Sequence, residues 1–278
     1  MLALALGGIA ALSWGVHDLL VRRMSQLADT AACMLVVLTT GCICLTVLGL
    51  FTGAMPSSDD LPLQLASGVA FAVATYCMWQ ALAVGSVRLV VPVIASYPVI
   101  SLLLATLSGE SILIVQWLLV LTVIAGVSIV ARGESSRQSR KVLVPVCWAA
   151  GSAVGFAITF WTGQLAMGDN NTVSVLVMTR LVAVASTIIF MLFIGGLRWP
   201  VRRDIPILCL MGLCDTVALA SVLFAGNLPG GTFAMVTASL FGVITIILAW
   251  VFLKERLAPL QWVGLAVTFT AIGAIALV

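Results

Sequence analysis

Two stretches decide the fold: GESILIVQW, running from Gly109 to Trp117, and KERLAPLQW, running from Lys254 to Trp262. Each places a Glu, a Gln and a Trp at one spacing, and Gly85 and Gly230 precede them at matching distances. Self-similarity at so long a period divides the chain into two equivalent halves. The polar segment Arg132 to Lys141 joins them.

Around these landmarks the chain is almost wholly apolar. Of its 278 residues 62% are hydrophobic and 8% charged, with a mean hydropathy of +1.23. A soluble domain carries a charged share of about a quarter, so this composition describes a polytopic membrane protein. A bilayer core takes about 20 apolar residues per helix. Ten runs meet that need, at 2–21, 30–52, 62–84, 88–107, 112–131, 142–166, 172–195, 204–226, 232–253 and 258–277. The first lacks a basic n-region and is followed directly by Arg22 and Arg23, so it reads as span one, not as a cleaved signal. The expected fold class is all-α integral membrane: ten transmembrane helices as two five-helix repeats, 1–131 and 142–278, with 132–141 as a cytoplasmic linker.

Charge sets the orientation. Twelve of the thirteen basic residues lie in alternate gaps: Arg22 and Arg23, Arg88, Arg132 to Lys141, Arg198 to Arg203, and Lys254 with Arg256. The other gaps hold Asp59, Asp60, Glu110 and Asp169 and no Lys or Arg. The positive-inside rule makes the basic gaps cytoplasmic and puts both termini outside. Five spans is an odd number, so the second half enters the membrane upside down relative to the first. Equivalent loops agree, because Arg22-Arg23 after span one corresponds to Gly168-Asp169-Asn170-Asn171 after span six, and the Asp59-Asp60 gap to the Arg198 to Arg203 gap. Inverted repeats are a transporter architecture, in which one half rocks against the other around a midplane site.

The Gly109-Glu110-x5-Gln116-Trp117 and Lys254-Glu255-Arg256-Leu257-x3-Gln261-Trp262-Val263-Gly264 stretches resemble the ends of the two EamA repeats of the drug/metabolite transporter superfamily. The resemblance covers the whole chain. It implies an exporter of small metabolites, with spans one, three, four, six, eight and nine around a central cavity and spans five and ten at the periphery. Tyr76, Tyr97 and Trp161 further resemble the aromatic set of YddG-type aromatic amino acid exporters. One departure makes the cavity walls chemically unequal: Ser96-Tyr97-Pro98 of span four stands opposite Phe241-Gly242-Val243 of span nine.

Ionisable side chains are costly in hydrocarbon, so they face the bundle interior and mark function by default. Arg180 lies about 12 Å into span seven and Asp215 about 16 Å into span eight, at 1.5 Å per residue. Two readings stand side by side. Either the two form a buried bridge that fixes helix register, or Arg180 grips a substrate carboxylate with its two-pronged guanidinium while Asp215 competes for it. His17 and Asp18 could relay protons; the alternative is that they are hydrated near the interface and paired with the arginines beside them. Trp14 and His17 share a helix face, as do Tyr76, Trp79 and Gln80. With Tyr97 and Trp161 these form the expected substrate-binding set: Trp14, His17, Tyr76, Trp79, Gln80, Tyr97, Trp161, Arg180 and Asp215. Pro92 and Pro98 remove backbone donors in mid-membrane and are the expected hinge.

The seven cysteines sit in apolar runs without ligand spacing and read as packing residues. No cofactor or metal is expected, no catalytic motif is present, and the net charge of +3 is topogenic, not a nucleic-acid footprint. The glycines of spans six and ten are expected to serve packing within a monomer, with a dimer through span ten as the alternative. The partners are the lipid bilayer and a small-molecule cargo. The expected function is secondary export of small metabolites, aromatic or other neutral amino acids first, across a bacterial inner membrane. The rivals are a broad drug exporter, a channel, and an integral-membrane lipid-modifying enzyme.

Overall fold

The computed structural model describes residues 2–54, 60–107, 109, 113–132, 139–167, 171–194, 198–226, 228, 237–238, 240–255, 257–275 and 277. Glu110, Asp59, Gly168, Asp169, Asn170, Gly230, Arg256 and most of the linker lie outside them. In lipid each backbone N–H and C=O must be satisfied within its own segment, and the apolar runs meet that demand as helices. Among the described residues these are α1 Leu2–Met24, α2 Thr30–Thr52, α3 Leu61–Val84, α4 Val87–Ile94, α5 Tyr97–Leu107, α6 Ile114–Arg132, α7 Ser139–Met167, α8 Thr172–Ile194, α9 Ile205–Gly226, α10 Phe241–Phe252 and α11 Pro259–Ile275.

These helices make ten membrane crossings, because α4 and α5 are two halves of span four. The expected continuous helix at 88–107 is interrupted at Ala95 and Ser96. Pro98 is the physical cause: it has no N–H to offer the carbonyl of Ile94. Freed groups find local substitutes. Ser96 Oγ donates to Val93 O at 2.7 Å, and the Val99 N–H donates to Ser96 O at 3.0 Å.

The repeat stretches are helix starts. Leu113 and Ala258 stand just before α6 and α11, and their N–H groups donate to Gln116 Oε1 at 2.8 Å and Gln261 Oε1 at 3.0 Å. Each Gln reaches back from the third helical position as in a capping box. Gln261 is fully buried and also donates to Val130 O at 3.2 Å, tying span ten to span five.

Helix packing obeys a pseudo-twofold that inverts the halves. α1 lies on α9 as α7 lies on α3; α2 meets α9 as α8 meets α3; α1 meets α10 as α7 meets α4 and α5; and α6 pairs with α11. Close backbone contacts repeat as well. A Cβ on Gly68 of α3 would lie 2.4 Å from Val182, and one on Gly212 of α9 would lie 2.7 Å from the Val37 carbonyl and from Thr40. Gly68 and Gly212 occupy the same step of equivalent helices. The Gly155 backbone rests on Ala74, and Gly264 on the carbonyl of Gly126, so these glycines of spans six and ten serve packing inside the chain.

Contacts at one end of the bundle bring the basic gaps together. Arg22 donates to the carbonyls of Leu82 and Ala83 at 2.6 and 2.9 Å, capping the end of α3. Asp29 accepts from the Arg198 N–H, and the Asp29 N–H donates to Arg198 O at 3.2 Å. Glu255 accepts from the N–H groups of Val87 and Arg88 at 3.3 and 3.4 Å. The gaps after spans one, three, seven and nine therefore share one side, as the charge pattern requires.

Candidate functional site

Near the middle of the bundle α8 carries Arg180 and α9 carries Asp215. The two bond through Nη2 and Oδ2 at 2.5 Å, with side chains 5% and 15% exposed. Of the two sequence-based readings, the structure holds the bridge. A second donor completes the carboxylate: Trp14 Nε1 of α1 gives a hydrogen bond to Asp215 Oδ1 at 3.1 Å. The guanidinium also lies over the ring of Phe71 of α3, with Cζ 4.3 Å from the ring centroid. That cation–π contact is worth about 0.5 to 2 kcal/mol, more as water is excluded.

Phe71 and Asp215 both follow the packing glycine of their helix by three residues, Gly68 and Gly212, and are equivalents under the pseudo-twofold. Arg180 thus stands between matching positions of the two halves, one an anion and the other a ring face. No sequence signal singled out Phe71; the spacing from Gly68 compared with Gly212 to Asp215 could have found it.

Aromatic rings lead outward from this centre in both halves. Phe71 packs on Phe156 at 6.0 Å, Phe156 stacks on Phe160 at 6.4 Å, and Phe160 meets Tyr97 at 5.2 Å beside the break in span four. On the opposite side Trp14 meets Phe241 of α10 edge-on at 6.0 Å. The span-one to span-nine contact is the image of the span-six to span-four contact. Spans one, three, four, six, eight and nine all contribute a side chain to this path, with Arg180 of span seven at its middle.

The other expected site residues fall into separate places. Tyr76 and Gln80 form a second cluster, in which Gln80 Nε2 donates to Tyr76 Oη at 2.8 Å and to Thr30 Oγ1 at 2.9 Å. Trp148 and Phe190 close around the Tyr76 ring at 6.0 and 4.9 Å. Trp79 is fully buried in the apolar core. His17 lies a turn from Trp14, and its Nδ1 meets Asp18 Oδ1 at 3.0 Å, both residues being buried. Trp161 is half-buried on α7. Pro92 is buried inside α4, whereas Pro98 stands directly after the break. Apart from all of these, a groove of about 290 Å³ runs between α10 and α11, lined by apolar residues including Val243, Ile246, Trp262, Leu265 and Phe269.

Comparison with known proteins adds two findings. A family model described as the EamA-like transporter family matches residues 1–132 and 143–277. A solved crystal structure superposes with a TM-score of 0.67 at 17% identity, covering 99% of this chain and 96% of its own, which is a likeness of fold. A search of curated proteins finds no match.

Proposed function

This chain belongs to the EamA-like transporter family, and on that premise we propose that it exports small metabolites, aromatic or other neutral amino acids first among them, by alternating access of its two inverted halves. Membership of the family makes the chain a membrane transporter of small molecules. The amino-acid cargo is argued from Arg180, held in mid-span between the Asp215 carboxylate and the Phe71 ring.

An opened Arg–Asp pair is the complement of a zwitterion. The cargo's carboxylate takes the guanidinium fork in two parallel hydrogen bonds, and its ammonium takes Asp215, so neither buried charge is left alone. Both replacements are needed, since removing one partner of a buried pair strands the other. The rings from Phe71 to Tyr97, with Trp14 at the Asp215 carboxylate, offer faces on which an aromatic or apolar side chain stacks. Tyr76 and Gln80 supply a second polar station toward span two. Rocking about the break at Pro98, in the manner of inverted-repeat carriers, exposes the site to one side at a time. With the basic gaps cytoplasmic, both termini face the periplasm of a bacterial inner membrane.

Purified protein in liposomes tests this reading against a panel of labelled amino acids. Phenylalanine efflux is expected, with loss in a Tyr97→Ala variant that remains folded. Flux that is the same with every amino acid tried, or with none inside, would sink it. A broad drug exporter predicts that lipophilic cations move and that Asp215→Asn alone abolishes their movement.

A further inference from the structure

Four acidic, basic or histidine side chains sit well inside the membrane-crossing helices among the described residues: His17 and Asp18 on α1, Arg180 on α8 and Asp215 on α9. Arg180 balances Asp215. Asp18 has a different situation. It is 5% exposed, as is His17, and its polar contact is the His17 imidazole at 3.0 Å.

Among the described residues, the elements packed against this part of α1 bring no cation to Asp18. α10 has no ionisable residue between Phe241 and Phe252, and α3 offers only Tyr76 and Cys77. α9 adds a second acid, Asp215, together with Cys209 and Cys214. On α1 itself Arg22, a turn beyond Asp18, spends its Nη1 on the carbonyls of Leu82 and Ala83, and Arg23 is exposed. The count is therefore two carboxylates to one guanidinium. With a neutral imidazole the cluster holds an unbalanced negative charge, which costs several kcal/mol in a closed, dry site. A single proton shared between imidazole and carboxylate removes that cost.

We propose that the His17–Asp18 pair is a proton-binding site that loads and unloads once per transport cycle. While α1 is packed against α9 and α10 the pair keeps its proton. When the halves rock and water reaches α1, hydration stabilises the bare carboxylate and the proton leaves. Trp14 links this site to the cargo site, because it lies one turn from His17 and Asp18 on the same helix face and donates to Asp215. Whatever draws Asp215 toward a cargo ammonium also draws α1. The coupling to cargo rests on the reading of the Arg180–Asp215 site given above, whereas the proton site stands on the charge count alone.

Two measurements separate the two claims. The chain has one histidine, so 15N-histidine spectra in nanodiscs report His17 and nothing else. A titration that moves by about one pH unit or more between wild type and Asp18→Asn is expected; one that does not move overturns the proton site, whatever the cargo is. In liposomes at zero membrane potential, a gradient of about one pH unit is worth up to about a tenfold ratio of labelled tryptophan per proton. The wild type should approach that ratio, Asp18→Asn should fall to unity, and Asp18→Glu, which keeps the carboxylate, should recover it. Equal ratios in wild type and Asp18→Asn overturn the coupling. If tryptophan does not move at all while the histidine titration shifts, the amino-acid reading fails and the proton site survives.

Discussion

Asp215 receives a guanidinium and an indole N–H, and Arg180 in turn has a carboxylate on one side and a ring on the other. Such a pair contributes less to stability than its short distance suggests, since desolvating two ions offsets their attraction. Breaking it is another matter. Asp215→Asn leaves a guanidinium buried without an anion, and a loss of about 3 to 5 kcal/mol is expected. Thermal unfolding in detergent should show a clear drop, and replacing both partners together, Arg180→Met with Asp215→Met, should recover most of it. If the single and double variants unfold alike, the bridge has no structural role. At this scale the sequence was legible where chemistry is rare: one arginine and one aspartate in mid-span announced themselves by their cost. Phe71 did not, because one phenylalanine among eleven in an apolar chain carries no signal of its own.

At the scale of the element, span four differs most from expectation. Its apolar pattern is that of an unbroken helix, yet α4 ends at Ile94 and α5 starts at Tyr97. Two prolines invited a kink, but which of them breaks the helix was open. Pro92 is accommodated within α4, whereas Pro98 follows the gap as the second residue of α5, and Ser96 in the gap donates its hydroxyl to the Val93 carbonyl. Restoring the donor with Pro98→Ala should favour a continuous helix, by up to about 3 kcal/mol of local preference. The expected outcome is a higher unfolding temperature together with a several-fold slower exchange of cargo. A raised midpoint with unchanged exchange would show that the break is not a hinge. Helix starts were more readable than helix breaks. The recurring Gln before each Trp is a cap, since Gln116 and Gln261 both close the first turn of their helices. Of the recurring Glu, Glu255 works across the molecule instead, receiving the N–H groups of Val87 and Arg88 at the head of α4. Local spacing marks such a residue without naming its partner.

At the scale of the whole molecule, topology carries a direct test. With the basic gaps inside, alkaline phosphatase fused to the C-terminus should be active and green fluorescent protein fused there dark; the reverse pattern would invert the assignment. The sequence by itself determined that the chain lives in a membrane, how many times it crosses, that its halves are inverted copies, and which gaps share a side. These follow from hydropathy, segment length and loop charge, which act on each segment separately and need no knowledge of its neighbours. Only the tertiary structure decided that Arg180 faces Asp215 and Phe71 at once, that Tyr76 and Gln80 form a cluster apart from it, and that Asp18 has the imidazole of His17 as its polar contact. Those outcomes depend on helix rotation and on close approach at Gly68, Gly155 and Gly212. In a chain apolar all round its helices, no amphipathic face records which side turns inward; packing between helices chooses it.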